Sequence, residues 1–347
     1  MAERIKHSDP CFFRVDTDDD FYNVSFEITY RCNLECKHCF NRSNGDAFAG
    51  LSRDDVLTLV DELAKANVKN VYMTGGEPTQ YPYFLDVVEA INNHNIELIL
   101  ATNGYDIRRY INALKYNVSH NAGVYVSIDG LKDAHNSLRG RSDAFFQAIE
   151  SIKLIRSVGL PVRISSLIWD GNYSQLDELI LLLKKLGVSQ INLTIPVQVG
   201  RAETNDIALH RPYSEAVDMV RGLQQKYCLE GFKIFLKRDE PLDAGSFNCQ
   251  AGLKIMHINS NGEIYPCSWI SKAKLSQYSR KWRPGELEKC IDAIRSFGEV
   301  IRTRTMKYGT SGCPAMAQIY NGDMLGFDPL NELLDNRLCQ SAISTSK

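Results

Sequence analysis

Polar and apolar positions along this chain alternate in a repeating rhythm. Asn23–Tyr30 alternates apolar and polar residues and ends at a group of cysteines, which predicts a strand feeding a loop. Ser52 can cap a helix over about Arg53–Ala66, and Lys69–Thr74 is a β-branched and aromatic run before Gly75-Gly76. The pattern then predicts a helix at Tyr83–Asn93, a strand at Ile96–Thr102, a helix at Ile107–Lys115 and a strand at Gly123–Ile128. A helix capped by Ser142 and running to about Val158 follows, then a strand at Val162–Ile168, a helix at Tyr173–Leu186, a strand at Gln190–Ile195 and a helix at Tyr213–Tyr227.

Strands alternating with helices imply parallel βα units. Six of them make a parallel sheet, open or curved into a partial barrel. Such sheets bind ligands at the carboxyl ends of their strands. The cysteine group, Gly75–Pro78, Thr102–Gly104 and Ser127–Gly130 all fall at those ends, so they are expected to converge on one site. Past about residue 230 the rhythm changes. Lys254–Ser260, Asn261-Gly262 and Glu263–Pro266 predict a hairpin, Leu287–Arg302 predicts a helix, and the tail after Thr310 is irregular.

Composition narrows the class. The chain has 347 residues, 44 % apolar and 24 % charged, with a net charge of -2. That is ordinary for a soluble globular protein of more than one domain, with no basic excess for nucleic acid or an anionic membrane. The polar N-terminus is no secretory signal, and the apolar stretch Leu176–Leu186 is too short and too charged to span a bilayer. A cytoplasmic location is expected.

The ten cysteines are many for that compartment, where clustered thiols more often bind metal or do chemistry than form disulfides. Cys32, Cys36 and Cys39 lie within eight residues, none falls between 40 and 227, and six follow from Cys228 onward. Thiolates are soft ligands that suit zinc or iron–sulfur clusters. Three in one tight loop can hold a cubane with one iron left open, or a zinc ion with His38 as a fourth ligand.

The wider context carries a resemblance. Cys32-x3-Cys36-x2-Cys39 after the first strand, with Thr74-Gly75-Gly76-Glu77-Pro78 after the second, resembles the radical S-adenosylmethionine (SAM) superfamily. The likeness runs through residues 24–200. It implies a [4Fe-4S] cluster on the three cysteines, SAM at its open iron, and contact of the SAM amino group with Gly75, Gly76, Glu77 and Pro78. Ser127-Ile128-Asp129-Gly130 with Arg139 or Arg141 resembles the family's fourth-strand segment, where Ser meets the ribose and Arg the carboxylate. Asn103 matches the third-strand element, and Gly200-Arg201-Ala202 a segment beside the adenosyl group. The implied fold is α/β: a partial (β/α)6 parallel barrel over 23–230, after an extension at 1–22, with a smaller C-terminal iron–sulfur domain at 231–347. The implied chemistry is reductive cleavage of SAM to a 5′-deoxyadenosyl radical that takes an unactivated hydrogen, with an external one-electron reductant as partner.

Cys249, the hairpin, Pro266-Cys267 and Cys313-Pro314 resemble the SPASM or shorter twitch extension of this family. No Cys-x2-Cys and no Cys-Gly-Gly-Cys is present, which leaves too few thiols for two auxiliary clusters. One auxiliary [4Fe-4S] cluster is expected, on Cys249, Cys267, Cys313 and Cys339. Cys290 shares an apolar spacing with Ile294 and is expected in the core; Cys11 and Cys228 have no partner pattern.

Relatives with this extension often modify ribosomal peptides, and an auxiliary cluster suits removal of an electron from a substrate radical. Oxidative peptide modification is therefore the leading expectation. About twenty residues precede the first strand, where many relatives carry a peptide-recognition domain, so either a separate recognition protein supplies that function or the peptide binds another way. The alternatives are a small-molecule dehydrogenase or epimerase (aminosugar, tetrapyrrole or quinone-cofactor precursor) and a non-catalytic iron–sulfur or zinc protein. Asp170 and Tyr265 are the candidates for a catalytic base or hydrogen donor.

Overall fold

The computed structural model describes residues 23–48, 50–117, 123–236, 249–308 and 312–326. Seven parallel strands follow one another in chain order: β1 (Asn23–Thr29), β2 (Asn70–Gly75), β3 (Glu97–Thr102), β4 (Val124–Ser127), β5 (Val162–Leu167), β6 (Gln190–Thr194) and β7 (Lys233–Leu236). β7 is one more parallel strand than the rhythm predicts. It is only four residues long, too short to announce itself by alternation. Eight helices occupy the connections: α1 (Arg53–Lys65), α2 (Phe84–Asn93), α3 (Ile111–Asn117), α4 (Lys132–Arg139), α5 (Ala144–Ser157), α6 (Leu176–Lys185), α7 (Arg201–Thr204) and α8 (Tyr213–Tyr227).

The predicted hairpin is present as β8 (Ile255–Ile258) and β9 (Glu263–Tyr265). It does not form a separate sheet. β8 pairs in parallel with β1, Asn23 opposite Ile255, and β9 and β10 (Arg280–Lys281) continue outward. Four helices complete the described chain: α9 (Ser268–Lys272), α10 (Leu287–Arg295), α11 (Gly298–Tyr308) and α12 (Pro314–Asn321). The single helix expected over Leu287–Arg302 is therefore two. Phe297 sits at the break, fully buried, with its ring edge-on to Tyr278 at 5.0 Å.

All seven residues of β1 are buried, although they alternate in polarity. The apolar set Val24, Phe26 and Ile28 packs in the main core, which also takes Val56, Leu59, Val60 and Leu63 of α1. The polar set Ser25 and Glu27 faces inward instead. Ser25, Tyr72, Ala101, Tyr125, Ser165 and Thr194, one from each of β1 to β6, line one cavity. The sheet therefore curves around an interior, as a partial barrel does. Cys290 and Ile294 lie in the main core, and a smaller core gathers around Ile270, Phe297 and Ala315. No helix among the described residues is long and apolar enough to cross a membrane.

Candidate active site

The loop after β1 is held from three sides. Within the loop, Cys32 N donates to Asn44 O (2.9 Å) and Cys39 N to Cys36 O (3.1 Å). From β2, Gly76 N donates to Thr29 O (2.7 Å) and Glu77 N to Arg31 O (2.8 Å). From the segment after β6, Arg201 N donates to Cys39 O (2.9 Å), Nε to Cys36 O and Nη2 to Ser43 O (both 2.8 Å). The sequence marked Arg201 only as part of a family-like segment; here it clamps the cysteine loop. A Cβ on Gly200 would meet Phe40 Cα and O at 2.5 Å and Cys39 O at 2.6 Å, so this glycine permits the close approach.

Cys32 and Cys36 are buried, Cys39 is partly buried, and all three line the cavity, whose volume is about 310 Å³. Burial pushes the Cys32 thiol up to about 12, with Glu77 adding to the rise. Burial also raises Cys36, while Arg139 beside it works the other way. Such thiols ionise only when a cation compensates them, as in a metal or cluster site. Leu34 N (3.4 Å) and Asn103 Nδ2 (3.8 Å) point at Cys32 Sγ, and Arg139 Nη1 (3.7 Å) points at Cys36 Sγ. Donors aimed at sulfur are a known lever on iron–sulfur clusters. Three buried or half-buried thiols on one short loop, two of them with donors aimed at their sulfurs, form a soft donor set that fits an iron–sulfur cluster.

The Gly-Gly-Glu-Pro segment has a division of labour that the sequence does not reveal. Gly75 and Gly76 line the cavity, while Glu77 is fully buried. Glu77 Oε1 accepts from Thr79 Oγ1 (2.8 Å) and Thr102 Oγ1 (2.7 Å), and Oε2 accepts from Asn103 N (2.7 Å). The carboxylate thus fastens the ends of β2 and β3 together, and the cavity face of the segment is backbone. The glycines are also required by the cysteine loop, since a Cβ on Gly76 would meet Arg31 O at 2.2 Å.

Asn103, Ser127, Asp129 and Arg139 all line the cavity. Asn103 Nδ2 donates to Asn33 Oδ1 (2.8 Å), which ties β3 to the cysteine loop. Arg139 Nε donates to Asp129 Oδ2 (2.7 Å), and Asp129 Oδ1 accepts from Leu167 N (2.8 Å). Burial opposes the charge on Asp129, yet Arg139 holds its carboxyl below the usual range. Between the two arginines, Arg139 is buried at the cavity; Arg141 is exposed, pairs with Asp143 and stacks on Tyr105 at 4.4 Å. Neither candidate base lies on the cavity. Asp170 is exposed beyond β5 and bonds His210 Nδ1 at 2.6 Å. Tyr265 is buried in the smaller core, near Glu263 at 3.5 Å.

Cys249, Cys267 and Cys313 all pack against that smaller core, and none of the described cysteines is in a disulfide. Gly252 N donates to Pro266 O (3.2 Å), folding the Cys249 turn onto Cys267. Cys267 and Cys313 stand at the N-termini of α9 and α12. Cys339 lies outside the described residues, as do Cys11 and the extension 1–22. The two thiol groups share a wall: Ser268, Trp269 and Lys272 of α9 line the same cavity as Cys32, Cys36 and Cys39. The sequence reading missed Lys272, Glu27 and Asn41, which meet there. The available signal was Glu27, a charge in an otherwise uncharged strand.

Residues 26–173 match the family model described as the radical SAM superfamily. The subtilosin biosynthesis protein AlbA of Bacillus subtilis is 25 % identical over 72 % of this chain and 55 % of its own length. The chain therefore spans about half of that relative. The AdoMet-dependent heme synthase of Methanosarcina barkeri is 23 % identical over 88 % of this chain and 95 % of its own. In structure, the chain resembles Streptococcus suis SuiB bound to S-adenosylmethionine, with TM-score 0.65 and 18 % identity, covering 80 % of this chain and 68 % of SuiB. SuiB has also been solved with its precursor peptide SuiA. The cysteine loop and Gly-Gly-Glu-Pro segment fall inside the matched span, and residues 26–173 form a radical SAM domain.

Proposed function

We propose that this protein is a radical SAM oxidoreductase that modifies a ribosomally made peptide, with a twitch-like C-terminal part holding one auxiliary [4Fe-4S] cluster. The observation that carries this reading is one cavity wall: α9, capped by Cys267, lines the space into which the Cys32 loop opens. A substrate there would sit between the Cys32 loop and the helix that Cys267 caps. Cys32, Cys36 and Cys39 would hold the SAM-binding cluster, and Cys249, Cys267 and Cys313 the auxiliary one, with Cys339 as the expected fourth ligand. Together with SAM, the first cluster supplies a radical able to take an unactivated hydrogen; the second would accept the electron left behind. The protein's own part is to aim and enclose. Gly75 and Gly76 would offer backbone to the SAM ammonium, Arg139 its guanidinium to the carboxylate, and Ser127 and Asn103 polar groups to the ribose.

AlbA, named for bacteriocin biosynthesis, and SuiB, solved with a precursor peptide, support the peptide reading. One observation favours a second. The heme synthase matches over nearly its whole length, which supports a tetrapyrrole or other small molecule in the same cavity. Anaerobic reconstitution and reduction with SAM test both. The expected result is 5′-deoxyadenosine formation that accelerates with a precursor peptide encoded beside the gene. Acceleration by a tetrapyrrole instead would transfer the assignment, and no 5′-deoxyadenosine at all would reject SAM cleavage. In the Cys32→Ala/Cys36→Ala/Cys39→Ala chain, roughly four irons should remain bound. Loss of all iron would remove the auxiliary cluster from the proposal.

A further inference from the structure

Glu27 is the meeting point of five segments. Its carboxylate is on the inward face of β1 and fully buried. Lys272 Nζ, from α9, lies 3.0 Å from Oε1 and 3.2 Å from Oε2. Asn41, two residues past Cys39, donates Nδ2 to Oε1 (2.8 Å) and to Gly75 O (3.3 Å). The Asn41 side-chain oxygen in turn accepts from Lys272. His257 of β8 approaches with Nε2 at 3.6 Å. Full burial opposes ionisation, but Lys272 and His257 hold the Glu27 carboxyl far below the usual range. It stays an anion, and Lys272 stays committed to it.

The same contact seats aromatic rings. Lys272 Nζ lies 4.8 Å from the centre of the Phe40 ring, and Phe40 lies 6.3 Å from Trp269. Phe40 follows Cys39, and Trp269 follows Cys267 by two residues. One buried ion pair thus sets where the helix starting at Cys267 lies against the loop ending at Cys39. Lone buried pairs are poor stabilisers but good devices for fixing register. We propose that Glu27 and Lys272 are positioning residues: their ion pair registers the auxiliary thiol group on the SAM site and so fixes where the substrate sits between them. This rests on the two-cluster reading above.

The test compares Lys272→Met with the double variant Glu27→Gln/Lys272→Met in the reconstituted full chain. The single variant leaves a buried anion unpaired and should melt lower than the parent. The double variant has no buried ion and should recover the melting temperature. In both, modified substrate per 5′-deoxyadenosine formed should fall at least tenfold. A double variant that recovers coupling together with melting temperature would overturn the proposal, because charge compensation alone would then explain the pair. A second readout needs no cluster. In the cluster-free chain, alkylation of Cys267 followed by mass spectrometry should be several-fold faster in both variants than in the parent. Unchanged Cys267 labelling would equally overturn it. If the parent binds only one cluster, the two-cluster reading fails, and Cys267 labelling still reports whether α9 has come off the loop.

Discussion

At the scale of single residues, the site depends on buried polar groups being in one charge state. His135, on α4, is almost wholly buried, and its Nδ1 accepts from Asp129 N at 3.0 Å. That bond requires a neutral ring. Burial pushes the imidazole down to about 3, and Arg139 adds to the shift while Asp129 opposes it. The folded value lies below the ordinary 6.5, so as pH falls the unfolded chain takes the proton first. The contribution is therefore complete above about pH 6.5 and drains away toward pH 3. Between pH 7 and 4 it amounts to about 3 kcal/mol. His135→Asn keeps an acceptor and cannot titrate. Urea unfolding of the cluster-free chain should show the variant losing about 2–3 kcal/mol less than the parent over that range. Parallel pH curves for the two would rule out this role for His135. The sequence made the triad and the Gly-Gly-Glu-Pro segment readable because they are contiguous in the chain. Asp129, His135 and Arg139 also read as parts of one family-like segment, but their bonds to one another are not legible, because the partners become neighbours only once α4 has folded back on β4.

At the scale of elements, most of the βα rhythm was legible because long amphipathic helices and apolar strands repeat their period several times. The misses have physical causes. Ser142 was expected to cap the helix before Val158, but α5 starts at Ala144 with no side-chain bond from its own cap residue. The acceptor comes from α4: Asn136 Oδ1 takes Phe145 N at 2.8 Å, while Asn136 Nδ2 donates to Ser142 O at 2.6 Å. A cap borrowed from another helix leaves no local signature. Asn136→Ala should therefore destabilise the fold by about 1 kcal/mol, read as a lower urea midpoint at unchanged slope; Ser142→Ala should cost less. Gly200 belongs to the same scale. Its φ is +63° and its missing Cβ faces the cysteine-loop backbone. Gly200→Ala should push that loop outward and lower the iron retained by the triad while the fold survives. Iron content equal to the parent's would show that the loop yields freely.

At the scale of the whole molecule, the C-terminal part reads in sequence as a separate smaller domain because its period breaks off after residue 230. In the fold its first portion is continuous with the barrel. β8 extends the sheet beside β1, Trp282 and Leu287 enter the main core, and Glu62 of α1 accepts from Trp282 Nε1 (3.2 Å), Gly285 N (2.6 Å) and Leu287 N (3.0 Å). A strand pairing between residues more than two hundred positions apart leaves no trace in local pattern. It has a consequence for truncation. Removing everything after residue 248 would strip β1 of its β8 neighbour, leave the backbone of a fully buried strand unpaired on one side, and expose the Glu27 carboxylate without Lys272 or His257. Unpaired edges and uncompensated buried charge both favour aggregation or unfolding. Residues 1–248 expressed alone should be insoluble or lack a cooperative melt. Residues 1–308, which keep β8, β9, β10, α10 and α11 but drop Cys313, should melt cooperatively and retain the triad's iron. A soluble, cooperatively folding 1–248 fragment would show that the barrel closes without β8 and that the C-terminal part is an independent attachment.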